Sequence, residues 1–220
     1  MLSIVSTNDG SDTLLNSDLN VTYHSIKGAL QESLHVFIKE GLQKLDKSTG
    51  KIRILEIGFG TGLNAWLTYQ ETRDKPTLSI EYIALEPYQL EKDILNKLNF
   101  CLNDKENNEI SFQDFHQKIR ENTFKENFQL KLLKSKWEEF SDFQKFDLIF
   151  YDAFGPEDQP EMWSKSALKK AADYLNRNGV WVTYCAKGEV RRNMINNGLI
   201  LERIAGPLGK RHMLRATKYS

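Results

Sequence analysis

From Ile54 to Asn64 the chain reads Ile-Leu-Glu-Ile-Gly-Phe-Gly-Thr-Gly-Leu-Asn. A short apolar run ends at Glu56, and Gly58, Gly60 and Gly62 then alternate with Phe59 and Thr61 ahead of a helical pattern. Glycine lets a backbone turn sharply and approach a ligand closely. The G-x-G-x-G spacing is not the G-x-G-x-x-G that seats a pyrophosphate on a helix N-terminus. A carboxylate just before the glycines repels a phosphate and suits a ligand bearing an ammonium group. S-adenosylmethionine carries an ammonium and a sulfonium. Glu56, Gly58, Phe59, Gly60, Thr61, Gly62 and Asn64 are therefore expected to hold a methyl donor, the alternative being a strand-to-helix turn without a ligand.

Two further constellations bear on chemistry. Glu86 ends the apolar run Ser79–Glu86, where an acidic residue in a nucleoside-binding α/β sheet accepts hydrogen bonds from ribose hydroxyls. Asp152 ends the run Phe146–Asp152 and begins Asp-Ala-Phe-Gly-Pro-Glu-Asp-Gln-Pro-Glu-Met-Trp, with Pro156 and Pro160 stiffening the loop. A carboxylate facing the donor can accept one N–H of an amine and hold its lone pair in line with the transferable methyl. With an ordinary pKa of about 3.9, such an Asp orients a neutral amine rather than deprotonating an alkylammonium. Phe154 and Trp163 are candidates to stack on a planar substrate, or else plugs at the edge of the core.

Charge is divided along the chain. Formal net charge is zero, yet Ala186–Ser220 holds eight Lys/Arg against Glu189 and Glu202, a net +6 that leaves −6 for the remainder. Arg191, Arg192, Lys210 and Arg211 belong to this segment, and a basic segment on an acidic body fits a polyanion such as nucleic acid. A solvated surface is the plainer alternative.

These groups need a frame, and strand and helix patterns alternate from Lys51 onward. Strands are expected at Ile52–Ile57, Ser79–Glu86, Phe128–Leu133, Phe146–Asp152, Val180–Ala186, Leu199–Ala205 and His212–Lys218. Helices are expected from Leu63, near Leu90–Leu98, after Ser164 as N-cap, and over Gly188–Asn196, with Gly179 stopping the one after Ser164. Leu102–Asn127 reads as a surface insertion or short helices. The alternation predicts an α/β fold with a mostly parallel seven-stranded sheet and an antiparallel C-terminal edge hairpin, binding its ligand at the strands' carboxyl ends. Residues 1–50 read as an N-terminal extension, a hairpin (Asp12–Leu15, Leu19–Tyr23) plus an amphipathic helix over Leu30–Leu45, packed on a domain spanning 51–220.

Composition narrows the class. With 220 residues, 40% hydrophobic and 11% aromatic, the chain can bury one good core. No apolar run approaches a membrane span, and Met1–Gly10 lacks the order of a signal peptide. Two cysteines, Cys101 and Cys185, and four scattered histidines suit neither a disulfide framework nor a metal site, so a cytoplasmic setting without metal is expected.

Together these residues resemble the tRNA 5-methylaminomethyl-2-thiouridine methyltransferases, meaning the methyltransferase half of bifunctional MnmC and its stand-alone relatives. The similarity rests on Tyr23-His-Ser-x-x-Gly-Ala-x-x-Glu-Ser33, the glycine motif from Glu56 to Asn64, Asp152-Ala-Phe-x-Pro-x-x-x-Pro-x-Met-Trp163 and the ending Gly-Lys-Arg-x-Met-Leu214. The resemblance implies a Rossmann-like class I fold and methyl transfer from S-adenosylmethionine to the aminomethyl nitrogen of a wobble uridine. Its partner would be a tRNA anticodon stem-loop with the base splayed outward. Family members often carry an acidic residue near the adenine where this chain has Lys134-Ser-Lys-Trp-Glu138, so Ser135 or backbone near Trp137 is expected to serve there. No flavin-binding half is expected in these residues. The rival readings are a polyamine aminopropyltransferase, another small-amine N-methyltransferase and a non-catalytic RNA-binding protein.

Overall fold

The computed structural model describes residues 1–45, 50–100, 110–124 and 127–219. Its centre is a seven-stranded sheet built of β4 (Lys51–Ile57), β5 (Ser79–Leu85), β6 (Phe128–Leu133), β7 (Phe146–Tyr151), β8 (Leu175–Thr183), β9 (Ile200–Ala205) and β10 (His212–Thr217). The order across the sheet is β6-β5-β4-β7-β8-β10-β9. All pairings from β6 to β8 are parallel, and β10 runs antiparallel to both of its neighbours. The expected C-terminal hairpin is present, and its second strand lies inside the sheet while β9 takes the edge.

Period-two alternation separates the two cores. On β4, Ile52 and Ile54 join a cluster with Phe37, Trp66, Tyr69, Phe112, Phe115 and Phe128. Leu55 and Ile57 join the opposite cluster with Trp137, Tyr151, Trp163, Leu168 and Trp181. Helices α2 (Leu63–Thr72) and α4 (Phe112–Glu121) cover the first face, and α5 (Lys165–Tyr174) and α6 (Gly188–Asn196) the second. A parallel sheet apolar on both sides requires such double cover.

Several elements differ from the sequence reading. The N-terminal hairpin is a three-stranded sheet, β1 (Leu2–Ser6), β2 (Asp12–Asn16) and β3 (Val21–Thr22), whose first strand carries little buried apolar surface to announce it. The helix that follows is α1 (Ala29–Ser33) running into a π-helical stretch, Leu34–Lys39, and a short 3-10 turn at Leu42–Lys44. Of the two alternatives for 102–127, a surface insertion or short helices, the described residues take the helical one. They form α4, capped by the Ser111 hydroxyl accepting from Asp114 N–H, with Phe112, Phe115 and His116 buried. Residues 101–109 and 125–126, and with them Cys101, lie outside the described residues. The helical stretch near Leu90–Leu98 contracts to α3 (Lys92–Leu95).

At α5 the sequence signals divide. Ser164 caps it as expected, its hydroxyl accepting from Ala167 N–H at 3.2 Å. The expected stop at Gly179 is wrong: α5 ends at Tyr174, and the chain enters β8 directly at Leu175. Asn178 takes the left-handed conformation (φ 60°) where the β7–β8 register shifts. Asparagine tolerates that conformation well enough to replace glycine there. Ser164→Ala is expected to cost about 1 kcal/mol, read as a lowered urea midpoint at constant slope.

Candidate active site

The carboxyl ends of β4, β5 and β7 open on a cavity of about 400 Å³. Its floor is the glycine loop. Gly58, Gly60 and Gly62 all have positive φ (91°, 53° and 84°), but only Gly58 and Gly60 line the cavity. A Cβ on Gly58 would lie 2.5 Å from the Asp152 carbonyl oxygen, so this glycine lets β4 and β7 close on each other. Phe59 N–H and Gly58 N–H both donate to Leu85 O, pinning the loop to β5. Thr61 is buried and is not part of the cavity lining. Its carbonyl accepts from His116 Nε2 at 2.8 Å, and burial pulls the His116 pKa down to about 4.

Glu86 lines the cavity past the end of β5 and accepts Gly60 N–H and Tyr88 N–H, each at 2.9 Å. These bonds fix the carboxylate while leaving lone pairs for a diol. Ser135, Lys136, Trp137 and Glu138 form the adjoining wall. Glu138 supplies an acidic group that the sequence reading had not assigned in this stretch. Trp137 is buried against Phe140 and Tyr174, and its Nε1–H donates to Ala167 O.

Glu56 does not face the donor space expected for it. It is fully buried beneath the loop, where Asn64 Nδ2 donates to one carboxylate oxygen and Tyr82 hydroxyl to the other, both at 2.9 Å. Burial raises its pKa well above the usual carboxylate range. The same Asn64 Nδ2 donates to Asp152 Oδ2 at 2.8 Å. Asn64 therefore ties β4, α2 and the loop after β7 together, and it lines the cavity while doing so.

Asp152 also lines the cavity, directly beside the glycine loop, where Gly58 backs onto its carbonyl group. It keeps part of its surface open to that space, yet protein surrounds it otherwise. Burial, reinforced by the charge of Glu32, pushes its pKa up to about 7, against the Asn64 hydrogen bond and Lys210, which favour the charged form. The sequence reading had treated it as an ordinary, weak carboxylate. Its surroundings make it a usable proton acceptor near neutrality.

Phe154 sits at the cavity beside Tyr23, edge to face with ring centroids 5.3 Å apart. Trp163 does not line the cavity. It is buried against Tyr151 and Tyr184, and its Nε1–H donates to Phe154 O at 2.7 Å, so it plugs the core and steadies the loop. Part of the wall comes from the N-terminal segment, through Asn16, Leu19, Tyr23 and His24, and part from Asp158, Gln159, Glu161 and Met162. None had been assigned to the site, although Tyr23 and His24 open one of the quoted motifs. Burial lowers the His24 pKa to about 4, leaving a neutral ring within reach of the Thr13 and Thr61 hydroxyls.

The basic C-terminal segment is only partly free. Lys187 pairs with Glu157, Lys210 with Glu32, and Arg215 with Glu40 and Glu202. Arg191, Arg192, Arg203 and Arg211 are exposed and make no ion pair among the described residues. Among the described residues no cluster of His, Cys, Asp and Glu could hold a metal ion, and no helix is long and apolar enough to cross a membrane.

The family model described as S-adenosyl-L-methionine-dependent methyltransferase matches residues 99–219, and the chain belongs to this family. Its similarity is to MnmC in particular. It is 31% identical to the tRNA 5-methylaminomethyl-2-thiouridine biosynthesis bifunctional protein MnmC of Leptospira interrogans, an alignment covering 92% of this chain. The chain spans about a third of that relative's length (33%). The crystal structure of MNMC2 from Aquifex aeolicus superposes with a TM-score of 0.80 at 28% identity, covering 98% of this chain and 70% of that one. Spermidine synthase from Thermotoga maritima shares the fold alone, with a TM-score of 0.55 at 13% identity, covering 98% of this chain and 72% of that one. The methyl donor is thus S-adenosylmethionine, and the cavity fits it: a volume of about 400 Å³ lined by the close-approach glycines Gly58 and Gly60 and by the carboxylates of Glu86 and Asp152.

Proposed function

We propose that this chain methylates the aminomethyl nitrogen of 5-aminomethyl-2-thiouridine at the tRNA wobble position, giving 5-methylaminomethyl-2-thiouridine. The observation that carries the reading is Asp152, a carboxyl of raised proton affinity opening on the donor cavity and held there by Asn64. S-adenosylmethionine supplies a methyl group on a sulfonium. The protein's part is to accept one N–H of the incoming amine at Asp152, keep the nitrogen lone pair free, and take up the proton that the amine must lose. In that arrangement Glu86 holds the ribose, Gly58 and Gly60 give the donor room, and the 135–138 wall flanks the adenine. Phe154 stacks on the splayed base. The choice of a tRNA 5-methylaminomethyl-2-thiouridine product draws on the name of the similar MnmC protein of Leptospira interrogans. Exposed Arg191, Arg192 and Arg211 suit phosphate contacts that position an RNA without reading its sequence.

A small-amine N-methyltransferase or aminopropyltransferase remains the second reading, because Asp158 and Glu161 line the cavity as well and could hold a polyamine. Labelled S-adenosylmethionine and tRNA from cells lacking this gene separate the two. Label in 5-methylaminomethyl-2-thiouridine after nucleoside digestion is the expected result. Label only in added polyamines, or aminopropyl transfer from decarboxylated S-adenosylmethionine, overturns the proposal.

A further inference from the structure

We infer that Lys210, held by Glu32 against the face of Tyr184, is a positioning residue for the Asp152 loop and its carboxyl rather than a contact for RNA. This rests on the reading above only in taking Asp152 as the group that handles the amine's proton.

Three contacts build the device. Lys210 Nζ lies 3.8 Å from the centroid of the Tyr184 ring and is ion-paired with Glu32, whose side chain is 8% exposed. Tyr184 hydroxyl donates to Ala153 O at 2.8 Å, one residue beyond Asp152. The other Glu32 oxygen accepts Ser25 N–H at 2.8 Å, and Ser25 follows Tyr23 and His24 in the cavity wall. The turn between β9 and β10 is thereby fastened to α1, to the chain leaving β8 and to the catalytic loop. A cation with an ionic partner and an aromatic face is already committed. An RNA phosphate would have to displace Glu32, leaving a buried carboxylate unpaired.

The charges around Asp152 come from every side. Glu56 on β4, Tyr82 on β5 and Asn64 on α2 interact with it, as do Glu32 on α1, Tyr184 and Lys210. Of these only Lys210 is a cation. Glu32 raises the Asp152 pKa and Lys210 lowers it, so the pair gives Asp152 two adjusters of opposite sign. Removing the lysine's charge moves Asp152 titration to higher pH. Removing the glutamate's charge moves it to lower pH. A purely structural role cannot produce opposite shifts from two partners of one ion pair.

The test is a carbon-13 titration of the Asp152 carboxyl in the free protein, repeated in Lys210→Met, Glu32→Gln and Lys210→Arg. Expected are shifts of at least about 0.5 pH unit upward in the first and downward in the second, with the arginine variant close to wild type. The acid limb of single-turnover methyl transfer follows the same order. The salt dependence of tRNA binding stays unchanged in Lys210→Met and flattens in Arg211→Ala. Unmoved Asp152 titration, or a salt slope reduced by Lys210→Met, overturns the inference. Should Lys210→Met fail to fold, Glu32→Gln decides alone, and no downward shift in it rejects the inference. Wild-type enzyme that transfers no methyl to tRNA instead fails the functional reading, while the titrations still report on Lys210.

Discussion

Asp152→Asn is expected to keep S-adenosylmethionine binding within a few-fold of wild type while lowering methyl transfer about 10²- to 10⁴-fold. The amide has the shape of the carboxyl, and its oxygen can still accept from Asn64 Nδ2, so the loop keeps its anchor. What disappears is the charge and the capacity to take a proton. In wild type, with a pKa of about 7, the Asp152 carboxyl loses that capacity as pH falls below neutrality, so transfer declines on the acid side. The asparagine variant should lack this limb. Calorimetry with the donor and single-turnover transfer to tRNA measure the two halves separately. Loss of donor binding along with transfer, in a folded protein, would contradict the role given to Asp152.

Gly58→Ala is expected to damage both stability and donor binding. Its φ of 91° is strained for any side chain, and its new Cβ would meet the Asp152 carbonyl oxygen at 2.5 Å and carbonyl carbon at 2.9 Å. Neither partner can yield easily. Asp152 N–H donates to Ile57 O at 2.9 Å, and Gly58 N–H is bonded to Leu85 O. Strain and overpacking together should cost about 3 kcal/mol, with donor affinity falling at least tenfold as the loop shifts. Gly10→Ala is the control, since φ there is 83° but no heavy atom lies within 4 Å of the added carbon. It should lose only about 1–2 kcal/mol and leave donor binding alone. Urea denaturation and donor titration of both variants check the contrast.

The parts of the site that could be read from sequence are those whose meaning is local. Alternating glycines after an apolar run, Glu86 at the end of one strand and Asp152 at the end of another announce themselves through spacing, and the seven strands through apolar runs. Three things were not legible, each because distant chain segments create it. The proton affinity of Asp152 depends on burial and on Glu32, 120 residues earlier in the chain. The commitment of Lys210 depends on Glu32 and Tyr184, so counting charges overstated the free basic surface. The cavity wall formed by Asn16, Leu19, Tyr23 and His24 belongs to a segment that sequence patterning set apart as an extension. The bounds of helix α4 stayed open for a different reason. Its buried face is only Phe112, Phe115 and His116 in an otherwise polar stretch, too narrow a stripe to stand out. Asn178 in place of Gly179 shows how an αL position can move by one residue when asparagine precedes glycine.

The place of β10 bears on how the molecule is assembled. On a ribosome β9 emerges before β10, yet it has no neighbour in the sheet until β10 slots between it and β8. Nascent chains halted within the intervening turn should therefore hold a donor pocket already shaped by β4, β5 and β7, with β9 still unattached. Lys210 lies in that same turn, so the electrostatic setting of Asp152 arrives with the last strand. Competence to bind the cosubstrate and competence to react would then mature at separate moments of synthesis.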